Sequence, residues 1–229
     1  MKPRLTLSFL ALVAFCGPSR ADFRANFSAP PYVRDETVLG IDGWENRLPT
    51  DKDTRGTARV EAVPWGDGSP ALVLRGASLK NLFTPVAGGR TAITFSLAIQ
   101  ATGKVLPGRQ FRIFFGGAPT GEVYYMPGPE GGFGYAGEGD GRSGGIICVP
   151  QSDILENSFY TFTLEIDMDQ QTYHIAVTGE KADGSPLTFK VENVAFLSPG
   201  KPNPKVDGVY ILSGQRLDVY LGSVAVELK

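Results

Sequence analysis

The sequence predicts an all-β chain that folds as a two-sheet antiparallel β-sandwich. Apolar and polar residues alternate with a period of two along most of the chain, which is the period of a strand with one buried face. The 29 glycines and 17 prolines fall between short apolar runs and predict many turns. Helical periodicity nowhere extends beyond a turn or two, so a fold of alternating strands and helices is not expected.

Two local patterns predict specific features of this sandwich. The segment from Phe159 to Thr178 reads as a β-hairpin with one buried face, because apolar residues occupy every second position on both sides of a polar turn. Near the C-terminus, the parity of the apolar residues switches at Gly222-Ser223, which predicts a β-bulge there.

Residues 1–21 are predicted to be a cleavable signal peptide. Basic residues precede an apolar run from Leu5 to Cys16 that is too short to span a bilayer as a helix. A small residue, Ala21, precedes the expected cleavage point. We therefore expect residues 22–229 to form one domain that is exported to the periplasm or beyond, without membrane insertion. A lipid anchor on Cys16 is disfavoured, because the preceding phenylalanine is larger than such sites accept.

Composition argues against several functions. The net charge is −2 and both signs are interspersed, so nucleic acid is not an expected partner. Residues 22–229 contain one cysteine and one histidine, Cys148 and His174, which excludes an intrachain disulfide and makes a Cys/His zinc site improbable. We interpret Cys148 as a buried strand thiol and His174 as a surface residue, since no Gly-x-Ser-x-Gly elbow accompanies the histidine.

Several segments resemble the concanavalin A-like, or laminin-G-like, jelly roll of exported bacterial proteins. They are the Pro-Tyr segment at Phe27–Tyr32, the Gly-x-Asp-Gly-Trp element ending at Trp44, the hairpin described above and the closing strand over residues 217–228. The resemblance implies a jelly roll in which ligands, often glycans, bind a concave sheet or the loops at its rim. Trp44 is expected to pack between the first strand and a sheet rather than to stack on a ligand.

A glycine-rich segment, residues 128–145, is the strongest candidate for ligand binding. Its two Gly-x-Gly-x-x-Gly matches do not indicate a phosphate site, because no helix follows them. Aromatic rings within and before this predicted loop could stack on sugar rings, and its charged side chains could bond hydroxyl groups. The alternative is a surface loop whose aromatic rings pack into the sandwich. The candidate ligand-binding residues are Tyr124, Tyr125, Phe133, Tyr135, Glu138, Asp140 and Arg142.

A second hypothesis is a glycoside hydrolase. Glu165 and Asp167 share one face of a strand, and retaining glycosidases use two neighbouring carboxyl groups. The segment resembles the Glu-x-Asp motif of laminarinase-type glucanases, with Asp169 in place of the acid/base glutamate. The simpler interpretation is a solvated outer face that runs into an acidic turn.

The function favoured by the sequence is therefore a secreted, non-catalytic module that binds a carbohydrate or a cell-surface polymer. The alternatives are the hydrolase above and a structural or adhesive envelope protein without a ligand site. No cofactor is expected, although Asp51 and Asp53 are weak candidates for calcium ligands.

Overall fold

The computed structural model describes residues 23–47, 56–116, 121–137, 145–196 and 205–229. The predicted signal peptide lies outside these ranges. Within them, no helix has the length and apolarity to cross a membrane. The strands are β1 (Phe23–Asn26), β2 (Trp44–Asn46), β3 (Thr57–Ala62), β4 (Pro70–Arg75), β5 (Ser78–Val86), β6 (Arg90–Ala101), β7 (Phe111–Phe115), β8 (Glu122–Met126), β9 (Gly132–Ala136), β10 (Ile146–Pro150), β11 (Tyr160–Asp167), β12 (Thr172–Glu180), β13 (Pro186–Ala195), β14 (Val206–Ser213) and β15 (Leu217–Leu228).

The strands form two antiparallel sheets that pack face to face, as the sequence predicted. One sheet has eight strands, in the order β13-β12-β11-β6-β15-β4-β3, with β1 paired to β15. The other has seven strands, in the order β10-β9-β8-β7-β14-β5-β2. Sequence neighbours such as β14 and β15 lie in different sheets, so the chain crosses repeatedly between the layers and encloses one continuous apolar core.

The predicted hairpin is strands β11 and β12. Thr161 pairs with Thr178 and Glu165 pairs with His174, so the register places every second side chain on the same face. Phe162, Leu164 and Ile166 are fully buried on the inner side. The alternation of apolar and polar residues fixes the pairing register of this hairpin. A shift of the register by one residue would turn all of its apolar side chains toward solvent.

The predicted bulge in β15 is also present. Its pairing with β6 shifts between Leu221 and Ser223. A Cβ atom on Gly222 would lie 2.6 Å from the Ser96 hydroxyl, so a larger residue there would require the Ser96 side chain to rotate. After the bulge the first two outward positions are occupied by the small residues Ser223 and Ala225, and the outward position nearest before it by Tyr220.

Trp44 anchors the N-terminal segment, as expected from the sequence. Its side chain is fully buried, and its indole N–H donates a hydrogen bond of 3.1 Å to the Tyr32 hydroxyl. The rings of Phe23 and Phe27 lie 6.2 and 6.0 Å from it. Burial raises the pKa of Tyr32 to about 12.

Candidate functional site

The outer face of the seven-stranded sheet combines arginine and aromatic side chains. In β7, Phe111, Ile113 and Phe115 belong to the core, so Arg112 and Phe114 point outward. Pairing aligns Arg112 with Tyr124 of β8 and aligns Phe114 with Glu122 of β8 and with Tyr210 of β14. We call these outward residues, with two flanking arginines, the arginine–aromatic face: Arg47, Arg109, Arg112, Phe114, Glu122, Tyr124 and Tyr210.

Glu122 is fully buried at the centre of this face. Arg112 donates two hydrogen bonds to its carboxylate, from Nε at 2.8 Å and from Nη2 at 2.7 Å. Arg109 donates a third from Nη1 at 3.0 Å. A buried charge is costly unless it is paired and hydrogen-bonded, and the two-point contact with Arg112 meets this requirement. Hydrogen bonding to Glu122 raises the pKa of Arg112.

The ring of Tyr124 contacts an arginine and packs against two glycines. The Arg109 guanidinium carbon is 4.2 Å from the ring centroid, within cation–π distance. On the other side the ring covers Gly134 and Gly145, where a Cβ atom would overlap it. Two glycines of the glycine-rich segment are therefore needed for close approach to this ring, which is 1% exposed.

Phe114 and Tyr210 stack on each other, with centroids 5.2 Å apart and an interplanar angle of 5°. Two guanidinium groups flank Phe114: the carbons of Arg47 and Arg112 are 5.4 and 5.6 Å from its centroid. Tyr210 is half-buried, and its hydroxyl donates to Asp207 at 3.2 Å. Burial, followed by the charge of Asp207, raises the pKa of Tyr210.

Three of the predicted aromatic residues lie in the core rather than on a surface loop. The segment expected to be a loop contains strand β9, whose side chains Phe133 and Tyr135 point between the sheets. Phe133 is fully buried against Tyr160 and Phe162, with centroids 5.2 and 5.3 Å away. The interpretation in which the Phe133 and Tyr135 rings stack on a ligand from an open loop is therefore wrong, and the alternative, in which these rings pack into the sandwich, is confirmed.

Strand parity gives the physical reason for this correction. Tyr124 and Tyr125 are consecutive, so their side chains take opposite faces of the sheet. Tyr125 enters the core and donates a hydrogen bond of 2.8 Å to the Gln151 side chain. Of the four predicted aromatics, Tyr124 alone belongs to the arginine–aromatic face, and there its ring faces are covered rather than open.

The other predicted ligand-binding and metal residues lie outside the described ranges. These are Glu138, Asp140 and Arg142, together with the calcium candidates Asp51 and Asp53. Within the described ranges, no group of three or more His, Cys, Asp or Glu side chains is arranged to hold a metal ion.

The predicted carboxylate cluster lies on the outer side of the other sheet, and each member has a structural partner. Lys229 donates a hydrogen bond to Glu165 and lowers its pKa. Asp167 accepts the backbone N–H of Gln170 at 2.9 Å, which is the main cause of its lowered pKa. Asp169 accepts the backbone N–H of Gly89 at 3.3 Å. The lowered pKa values keep Glu165 and Asp167 ionised, which is opposite to the shift that would make either of them a general acid. The acid/base position of the hydrolase hypothesis is occupied by Asp169.

Cys148 and His174 also have defined environments. The Cys148 thiol is buried, as predicted, and burial raises its pKa to about 12. His174 is half-exposed opposite Glu165 and accepts the backbone N–H of Asn193 at 3.4 Å. The Cys148 thiol donates to the Phe133 carbonyl at 3.4 Å, an acceptor that cannot activate it as a nucleophile.

The eight-stranded sheet has a groove of about 470 Å³ on its outer face. The bulge at Gly222 contributes to it, and the half-buried ring of Phe159 forms one wall. Small polar side chains such as Ser96 and Ser223 line its floor. Phe159 lies 6.3 Å from Trp65, at the edge of a small apolar cluster. This groove is a second concave surface, distinct from the arginine–aromatic face.

Comparison with solved structures shows that the chain has the concanavalin A-like jelly-roll fold, as the sequence resemblance predicted. Peanut lectin in complex with a nine-residue peptide matches with a TM-score of 0.53 and 13% identity, over 90% of this chain and 96% of the lectin. A carbohydrate esterase of the Shiga toxin-encoding bacteriophage phi24B gives a TM-score of 0.51 and 12% identity, over 90% and 97% of the two chains.

The lectin UEA-II in complex with galactose gives a TM-score of 0.50 and 9% identity, over 91% of this chain and 98% of the lectin. No protein-family model and no curated protein sequence matches the chain. At these identities the similarity shows the fold alone, and the function has to be argued from the site.

The sequence did not single out Glu122, Phe114 or Arg112. The run Phe111–Phe115 does indicate an unusual outer face. Apolar residues occupy both sets of alternate positions in this strand, so at least one of them has to face outward. Placing Arg112 beside Glu122 requires the register between strands β7 and β8, which the sequence does not specify.

Proposed function

We propose that this chain binds carbohydrate without catalysis, through the arginine–aromatic face. The observation that carries the proposal is the buried carboxylate of Glu122, which fixes the guanidinium groups of Arg109 and Arg112 above an aromatic layer. Fixed hydrogen-bond donors recognise sugar hydroxyls. The half-buried ring of Tyr210, rather than the buried rings of Phe114 and Tyr124, is placed to contact the apolar face of a sugar.

The energetics of the ion-pair network favour a role in recognition rather than in stability. Compared with apolar residues of similar size, a buried ion pair adds little or no stability, because both charges lose their hydration. Its effect is to hold the guanidinium planes in one orientation, and such preorganisation lowers the entropic cost of binding.

The structural neighbours support carbohydrate as the ligand class. Two of the three similar structures are lectins, one of them bound to galactose, and the third is a carbohydrate esterase. The predicted signal peptide further leads us to propose that the protein is exported and meets its ligand on a cell surface or in the surrounding medium. The structural partners of Glu165, Asp167 and Asp169 occupy all three carboxylates, which favours binding over hydrolysis.

Glycan-array screening, followed by affinity electrophoresis against the polymers that bind, tests the proposal. Replacing Tyr210 with Ala should weaken binding by about tenfold, since removing one aromatic contact costs on the order of 1–2 kcal/mol. Phe159→Ala is the matched control, because Phe159 is a half-buried aromatic on the outer face of the opposite sheet. If Phe159→Ala lost binding and Tyr210→Ala did not, the site would be the groove on the eight-stranded sheet. If the wild-type protein bound no glycan, the proposed function would be rejected.

A further inference from the structure

We propose that the ligand of the arginine–aromatic face is an acidic polysaccharide, one that bears carboxylate or sulfate groups. This inference rests on the proposed function and specifies its substrate class. It starts from the distribution of charge, because the face is locally positive while the whole chain has a net charge of −2.

The excess of positive charge belongs to the residues that form the arginine–aromatic face. Two cations are already balanced by neighbours: Lys80 pairs with Glu45 at 3.2 Å and Lys205 pairs with Asp207 at 3.0 Å. The carboxylates Asp42 and Glu130 flank β2 and β9. The arginine–aromatic face itself contains three arginines, Arg47, Arg109 and Arg112, and one buried carboxylate, Glu122.

Arg47 is the arginine best placed to meet a new anion. It is half-buried and, within the part of the chain that the structure describes, it forms no ion pair. Its guanidinium carbon and that of Arg112 both lie beside Phe114, so the two carbons are at most about 11 Å apart. Guanidinium groups remain charged at all physiological pH values and match the geometry of carboxylate and sulfate oxygens.

The surrounding chemistry favours a polysaccharide over a nucleic acid. The aromatic pair Phe114–Tyr210 is stacked on itself at 5.2 Å, so a base cannot insert between the rings. The positive groups form a compact cluster on one face rather than the extended basic track that a phosphate backbone requires. Sugar hydroxyls suit the fixed donors, and acidic substituents suit the excess charge.

Binding measurements with matched polymers test the inference. The probes are polygalacturonate, the same polymer after reduction of its carboxyl groups, dextran sulfate, dextran and single-stranded DNA. The full chain should bind polygalacturonate or dextran sulfate at least about tenfold more tightly than its neutral counterpart. Binding should weaken steadily as NaCl rises from about 0.05 to 0.5 M, because salt screens exposed charges.

Arg47→Gln is the diagnostic variant and should reduce the affinity for the acidic polymer by about tenfold. Arg24→Gln is the matched control, since Arg24 is an exposed arginine on the opposite sheet, paired with Glu227 at 2.6 Å. Arg47→Lys, which retains the charge, should restore part of the affinity. Thermal unfolding of each variant separates lost binding from lost folding.

The outcomes distinguish this inference from the proposed function. Equal binding of neutral and acidic polymers, unaffected by Arg47→Gln, would overturn the acidic ligand and leave carbohydrate binding intact. Binding of DNA as tightly as polygalacturonate at equal charge would also overturn it, because it would indicate attraction to any polyanion. Failure of every polysaccharide to bind would reject both.

Discussion

Arg112 and Glu122 face each other diagonally across strands β7 and β8 and are joined by hydrogen bonds of 2.8 and 2.7 Å. The pair lies on the outer side of a sheet, where an acidic residue is ordinarily solvated. Here the carboxylate is fully buried, while Arg112 retains a side-chain exposure of 36%. The arrangement fixes the orientation of the arginine and leaves part of it accessible to a ligand.

Replacing Glu122 with Gln should lower the free energy of unfolding by about 2–3 kcal/mol, because two arginines lose their shared anion. Urea denaturation at neutral pH measures the change. Glu192→Gln is the control, as Glu192 is an exposed glutamate paired with Lys190, and it should leave the free energy of unfolding almost unchanged. Equal effects of the two substitutions would show that burial does not distinguish Glu122.

Phe133→Ala should destabilise the protein by about 3–5 kcal/mol, since it leaves a cavity between the sheets next to Tyr160 and Phe162. Denaturant unfolding again provides the measurement. Ile146→Ala, at an exposed position of the neighbouring strand, should change stability by less than about 0.5 kcal/mol. A well-folded Phe133→Ala variant of unchanged stability would contradict the placement of this ring in the core.

The Glu165–Lys229 contact makes a prediction about pH. The folded-state pKa of Glu165 lies below its ordinary value of 4.5, so the contact stabilises the protein above that pH and is lost as the pH falls through the lowered pKa. Carbon-13 NMR should show the Glu165 pKa rising in Lys229→Met. Wild type and variant should differ in stability at pH 7 and converge in acid. An unchanged Glu165 titration in the variant would exclude the contact in solution.

Cys148 should be unreactive in the folded protein, because its buried thiol has a pKa of about 12 and reaction requires the thiolate. A thiol reagent at pH 8 should modify it only after unfolding in guanidinium chloride. Replacing Cys16 with Ser leaves Cys148 as the single thiol to be counted. Fast modification under native conditions would indicate that this edge of the sheet is open.

The elements predicted correctly are those defined by local pattern. The β11–β12 hairpin follows from strict alternation, and the bulge near Gly222 follows from a change of parity within one strand. In both cases the information lies within a few consecutive residues, because burial of one face dictates every second side chain.

The errors arise where long-range pairing decides the outcome. Strand β9 escaped prediction because two of its five residues are glycines and it lies in a glycine-rich segment, although Gly134 is required by the close approach of Tyr124. The burial of Glu122 depends on the register between β7 and β8 and on arginines 10 and 13 positions away in sequence. A glutamate at an outward-facing strand position is ordinarily expected to be solvated. The candidate site could therefore be identified only from the three-dimensional structure.

The most direct test of the account is to map bound ligand on the folded protein by NMR. Amide shifts of the 24.5 kDa chain would be followed during titration with an acidic oligosaccharide that binds in the assays above. We expect the largest shifts in β7, β8 and β14, centred on Arg112, Tyr124 and Tyr210. Shifts confined to the eight-stranded sheet around Phe159, with strands β7, β8 and β14 unaffected, would contradict the assignment of the arginine–aromatic face as the binding site.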